Sequence, residues 1–179
     1  MAHLEEHMPE RDDLLALVTD QRTNFLYTVA GLDDAGARAR TTVSELTLGG
    51  LLKHLGKVQR GWLDVVEGTA PAEVGWADLD PDDNRMTDAE TVAGLLEAFH
   101  AAAAAFDRTV REEADLDREV TLPSYPWSPP EPVVWTVRRV LWHNFREIAH
   151  HSGHADIIRE ALDGASTTAK MAEAASKGR

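Results

Sequence analysis

The chain has 179 residues, with 18 Lys plus Arg against 31 Asp plus Glu, which gives a formal charge of −13. At 43% hydrophobic residues it can bury the core of one domain, which excludes wholesale disorder, and no apolar run approaches the roughly 20 residues of a bilayer span. The negative field argues against nucleic acid and anionic lipid as partners, and the absence of cysteine excludes disulfides, thiolate metal sites and a cysteine nucleophile.

Four segments carry helical periodicity. The first spans about Asp12 to Ala30, with Leu14, Leu15, Val18, Phe25 and Val29 in its apolar set and the GLDD run from Gly31 as its stop. The second spans about Leu48 to Glu67, with Leu51, Leu52, Leu55, Val58, Trp62 and Val65 at three- and four-residue spacing and Gly68 after it. The third spans about Asp88 to Glu113 and contains an alanine run from Ala101 to Ala105. The fourth spans about Thr136 to Asp163, closed by Gly164. Between the second and third segments lies an acidic stretch, Thr69 to Arg85, with Pro71 and Pro81. Between the third and fourth lies Asp115 to Pro132, whose Pro123, Pro126, Pro129, Pro130 and Pro132 forbid a long helix. Loops this long mark function more often than packing. No strand pair alternates convincingly. The expected architecture is all-α, a four-helix bundle over residues 11–164, with a flexible N-terminus (1–10) and a flexible tail (165–179).

The fourth segment reads LWHNFREIAHHSGHAD. With about 100° of turn per residue, His143, Glu147, His151 and His154 share an arc of about 80°, and His150 widens it to about 100°. Val137, Val140, Ile158 and Leu162 place the apolar stripe of the helix on the same side, so the ionisable cluster is expected inside it. Burying unpaired imidazoles and a carboxylate there costs free energy unless they are hydrogen-bonded or coordinated. A divalent cation relieves that cost, since neutral imidazole and carboxylate are good ligands for Zn, Ni, Fe or Mn. Glu147/His151 and His150/His154 both have the i, i+4 spacing of a one-helix chelate. On the second segment, in LLKHLGKV, His54 lies on the apolar side beside Val58 and Val65. Two ligands from one helix and a third from another leave coordination positions open, as catalytic sites do.

The combination of LLKHLGKVQRGW with HNFREIAHHSGHADIIRE resembles the DinB/YfiT-like superfamily of metal-binding four-helix bundles, over about Asp12 to Gly164. It is most similar to the actinobacterial-type branch with HxxxExxxHxxHAD on its last helix. The resemblance implies a divalent metal, zinc first, held by His54, Glu147 and His151. It places His154 one turn beyond the third ligand, as an accessory ligand or proton-transfer group, with His143 and His150 around the site. His150 stands where the branch often has Arg. Family members with known chemistry imply a cytoplasmic enzyme that activates a low-molecular-weight thiol, such as mycothiol, for S-transfer or isomerisation. A metal-bound thiol loses its proton near neutral pH, so the protein needs no cysteine of its own. The same ligands suit a metal-dependent hydrolase, and a non-catalytic stress-related small-molecule-binding bundle is the reading from another class.

Other residues have weaker claims. Trp127, in the SYPWSPPEP loop leading into the last helix, is a candidate cover for a small-molecule substrate or thiol. Arg146, with Arg138 and Arg139, is a candidate partner for a carboxylate of the bound thiol. Trp62 is expected in the core. The alanine run suits close helix approach and, as one reading, a homodimer face. His3, His7 and His100 look incidental.

Overall fold

Local signals set most of the helix starts and two of the helix ends. In the computed structural model, which describes residues 9–177, helix α1 (Glu10–Val29) carries Glu10, Asp12 and Asp13 in its first turn, where carboxylates suit the positive end of the helix dipole. The short α2 (Asp34–Arg38) is capped by Asp33, whose side chain accepts from the Gly36 amide at 2.7 Å. Thr47, Thr91 and Thr136 cap α3 (Leu48–Glu67), α4 (Val92–Glu112) and α5 (Val137–Asp163) in the same way. Gly68 and Gly164 end α3 and α5 at φ 72° and 74°, left-handed positions where glycine carries no Cβ penalty.

The four long helices α1, α3, α4 and α5 form the expected bundle, with α3 against α4, α1 against α5, and α3 facing α5. One part of the core gathers Val18, Phe25, Leu51, Leu55, Phe99 and Ile148; another gathers Leu14, Leu63, Val66, Phe106, Val110 and Val140. Between α3 and α4 the backbones approach closely: a Cβ on Gly56 would lie 3.6 Å from Phe99 Cα. Ala102 and Ala103 are buried on the same face of α4, so much of the alanine run serves packing within the chain. A buried polar link crosses the core. Arg22 of α1 donates to Gln59 of α3 and to Asp107 of α4, both at 2.6 Å.

Besides the short α2, four elements differ from the sequence expectation. Glu119–Thr121 (β1) and Val134–Thr136 (β2) pair antiparallel, Val120 opposite Trp135. Strands this short give no alternating pattern to read. The third helix begins at Val92 rather than near Asp88, because Glu90 instead accepts from the Thr87 amide and hydroxyl and pairs with Lys53 of α3. The segment 167–177, expected as a loose tail, is a helix, α6 (Thr167–Lys177). It is tied to the bundle by Lys170, which donates to the Tyr27 carbonyl at 2.9 Å, and by Thr167 with Asp156. The expected flexible N-terminus, with His3 and His7, lies outside the described residues except for its last two.

The two long loops form one roof along one side of α3 and the first half of α5. Val74 N donates to the Ser124 carbonyl and Ser124 N to the Ala72 carbonyl, at 2.8 and 2.9 Å. The first loop also lies hard against the start of α3. A Cβ on Gly50 would come within 2.4 Å of the Asn84 carbonyl, and one on Gly49 within 2.5 Å of Met86 Sδ.

Candidate metal centre and cleft

His54 is on α3 and Glu147 and His151 are on α5, and the packing of these two helices brings the three together. His54 Nε2 is 3.9 Å and His151 Nε2 3.7 Å from Glu147 Oε2. The two rings meet edge-to-face with centroids 4.8 Å apart. One donor atom from each of the three lies within 4.8 Å of the others, and among the described residues this is the group of at least three His, Asp or Glu side chains that does so. The His150/His154 pair gains no third ligand. His150 is exposed, packed edge-on against His154 at 4.5 Å, and His154 Nδ1 is 3.3 Å from His151 Nδ1.

The cluster is half-buried rather than set within the apolar stripe. The buried face of α5 is Val137, Val140, Leu141, Asn144, Ile148, Ser152, Ala155 and Ile158. It is centred on Asn144 and Ile148, and His143, Glu147, His151 and His154 border it. Val140 and Ile158 mark one edge of the buried face, which is why the sequence pattern placed the histidines too deep.

The residues fit a divalent cation. His54 Nε2 is buried and has no hydrogen-bond partner, an arrangement that costs about 1–3 kcal/mol unless something occupies that lone pair. Two imidazoles and a carboxylate are an established donor set, with bonds of about 2.0–2.2 Å. Twice that length exceeds the 3.7 and 3.9 Å separations to Glu147. The protonation states also suit ligation. Burial pushes the Glu147 carboxyl up, but the hydrogen bond from Arg146 Nη2 (2.8 Å) and the neighbouring His143 and His151 outweigh it and hold it below the usual carboxylate range. Burial, then the nearby His54, pushes His151 down to about 4 against the pull of Glu147. The anion and the neutral imidazole are thus the forms present at pH 7.

A cleft of about 670 Å³ opens above this group. His54, Glu147 and His143 line its floor. Val58, Trp62, Val65, Leu122 and Val133 make apolar walls, and Tyr125, Trp127 and Asn84 come from the roof loops. Trp62 stacks on Trp135 at 5.2 Å with the rings 13° apart, and both contact His143. Arg139 lies 4.2 Å over the Trp135 ring. At the rim Tyr125 stacks on Trp127 at 5.2 Å, and Trp76 meets Trp127 edge-on. Trp76 and Trp127 are 73% and 63% exposed.

Trp127 therefore stands at the cleft, and Trp62 lines the wall as well as packing against the core. Arg146 is not part of the lining. It donates to Glu147 Oε1, and so acts on the carboxylate rather than on a ligand in the cleft. Arg138 is taken up by Glu10 and Asp117, away from the site. Sequence reasoning missed Tyr125 and Asn84. Tyr125 had a signal, since it sits two residues before Trp127 in the same proline-rich loop.

A helical bundle with a His/Glu/His group at the floor of a cleft defines a class, the DinB/YfiT-like bundles. Within it, the chain belongs to the mycothiol S-transferase family, whose model matches residues 13–164. The fold is also similar to a crystal structure described as the conserved protein of a locus from Enterococcus faecalis, at 16% identity and TM-score 0.67, covering 88% of this chain and 99% of that one. No curated protein matches the chain significantly. Among the described residues, no helix is long and apolar enough to cross a membrane.

Proposed function

We propose that this protein is a metal-dependent thiol S-transferase that uses a low-molecular-weight thiol, mycothiol in the first instance, against an electrophilic small molecule. The observation that carries the reading is the unpartnered, buried His54 Nε2 beside Glu147 and His151 at the floor of an apolar cleft. The family match supports the choice of thiol. His54, Glu147 and His151 would hold the cation, zinc being the first choice. When bound, it supplies a Lewis acid that lowers the pKa of a coordinated thiol and makes thiolate available at neutral pH.

The remaining work falls to this chain's own residues. Arg146 keeps Glu147 ionised and oriented through its 2.8 Å hydrogen bond. Trp62, Val58, Val65 and Leu122 exclude water from the space above the floor, which strengthens electrostatic interactions there. His143 faces Glu147 Oε1 at 3.4 Å and lines the cleft, where burial, then Arg146 and Arg139, keep its pKa below the ordinary value. It is therefore neutral at pH 7, placed to accept or return a proton at the thiol or the product. Tyr125 and Trp127 cover the bound molecules at the mouth. The protein acts in the cytoplasm, where such thiols are kept reduced.

The test is metal analysis of purified protein followed by a panel of thiols and electrophiles. Turnover that requires both bound metal and added thiol supports the proposal. Turnover with water alone makes the protein a hydrolase. Folded protein that takes up no divalent ion overturns the metal reading.

A further inference from the structure

His151 has two ring nitrogens with two different neighbours. Its Nε2 faces Glu147 Oε2 at 3.7 Å, and its Nδ1 faces His154 Nδ1 at 3.3 Å. Two imidazole nitrogens can share a hydrogen bond only when one carries the proton and the other does not. An Nε2 that is to hold a cation carries no proton, so the single proton of neutral His151 is on Nδ1. His151 is then the donor and His154 Nδ1 the acceptor, and the proton of His154 is on its own Nε2. The ring of His154 is kept in place by the edge-on contact with His150 at 4.5 Å. His154 itself stays outside the group of donor atoms within 4.8 Å of one another.

We propose that His154 is a positioning residue, which accepts the Nδ1 hydrogen of His151 and thereby fixes the tautomer that presents His151 Nε2 to the cation. It is not a fourth ligand. The inference rests on the metal reading above. Partners of this kind orient a ligating imidazole, and their loss typically weakens metal binding by about 10–100-fold.

Two measurements test it. The first is the long-range proton–nitrogen correlation spectrum of metal-free, nitrogen-15-labelled protein at mildly alkaline pH. The expected pattern is a protonated Nδ1 and a bare Nε2 in His151; a protonated Nε2 overturns the proposal. The second is titration with Co(II) of the wild type, His154→Leu and His154→Asn, after circular dichroism has confirmed the fold of each. The expected result is a 10–100-fold weaker Kd for His154→Leu, recovery of most of the affinity in His154→Asn, whose amide oxygen can accept, and an unchanged visible spectrum at saturation. Equal affinity in His154→Leu overturns the proposal, as does a spectrum showing that a nitrogen ligand has been lost. A wild type that binds no Co(II) removes the metal reading itself, and the tautomer spectrum then decides by itself whether His154 orients His151.

Discussion

His54 Nε2 on α3 lies 3.9 Å from Glu147 Oε2 on α5, too far for a hydrogen bond, and it is buried without a partner. A folded chain leaves such an atom unsatisfied only where something else supplies the missing contact, or where the loss is accepted for a function. The two helices hold the gap open because their core contacts, Leu51 and Leu55 from α3 and Ile148 and Ala155 from α5, set the separation independently of the three polar groups.

His54→Leu will therefore separate metal binding from stability. The variant loses an unpaired buried nitrogen and gains apolar surface beside Val58, so the metal-free variant will be as stable as the wild type or up to about 1 kcal/mol more stable. The wild type will gain about 2.7 kcal/mol when the metal is at a hundred times its Kd, and His54→Leu will gain nothing. Thermal denaturation with and without added Zn(II) reads both effects. A variant stabilised by zinc as strongly as the wild type would show that His54 is not a ligand.

The acid side of the stability curve carries the signature of His151. Its folded-state pKa of about 4 lies below the ordinary 6.5. Between those values the unfolded chain holds a proton that the folded chain does not, so stability is full above pH 6.5 and falls on acidification through the window down to about 4. In metal-free protein, urea denaturation at pH 7.5 and pH 5 will show a smaller drop for His151→Asn than for the wild type. Equal drops would mean that His151 titrates normally in the folded state.

Trp127→Ala tests the roof. The ring is 63% exposed, stacks on Tyr125 and meets Trp76 edge-on, so its removal will change stability by less than about 0.5 kcal/mol. Lost stacking on a bound molecule is worth about 0.5–1.5 kcal/mol, which predicts a KM higher by about two- to tenfold with kcat little changed. Steady-state kinetics with an apolar electrophile gives the split. An unchanged KM would leave Trp127 as loop packing only.

Much of this site was legible before any coordinates. Helical periodicity put His143, Glu147, His150, His151 and His154 on one arc and left two chelating pairs open; the family resemblance singled out His54, Glu147 and His151, whose donor atoms lie within 4.8 Å of one another in the structure. Depth was not legible: one apolar stripe cannot say where the buried face is centred, and here that centre falls on Asn144 and Ile148. The roof was less accessible still. Its geometry depends on pairings between distant segments, such as Val120 with Trp135 and Ser124 with Val74, and no local pattern encodes them. Arg146 shows the same limit, since a charge on a helix does not reveal which neighbour takes it up.

The buried link from Arg22 to Asp107 offers a stability test away from the site. Asp107→Ala leaves the Arg22 guanidinium, 7% exposed in its side chain, with Gln59 as its remaining partner. Breaking one side of a buried pair in this way costs about 3–5 kcal/mol. Replacing Arg22 and Asp107 together by Met and Leu will restore most of the loss, because no unpaired charge remains. Urea denaturation of the single and double variants decides; a single variant within 1 kcal/mol of the wild type would mean that water already shares the pair.

Gly50→Ala tests what holds the roof over the cleft. The added Cβ would lie 2.4 Å from the Asn84 carbonyl oxygen, a backbone atom that cannot rotate away. The segment must shift or the helix must bend, and either costs about 1–3 kcal/mol. That exceeds the gain of up to about 1 kcal/mol that alanine offers over glycine within a helix, so the net effect is destabilising. Because Asp83 and Asn84 line the cleft, displacement of this segment will also raise KM, while zinc affinity, set by α3 and α5, stays within about twofold. A calorimetric zinc titration alongside the kinetics separates the two. Loss of zinc binding in Gly50→Ala would show that the roof and the metal floor are one mechanical unit rather than two.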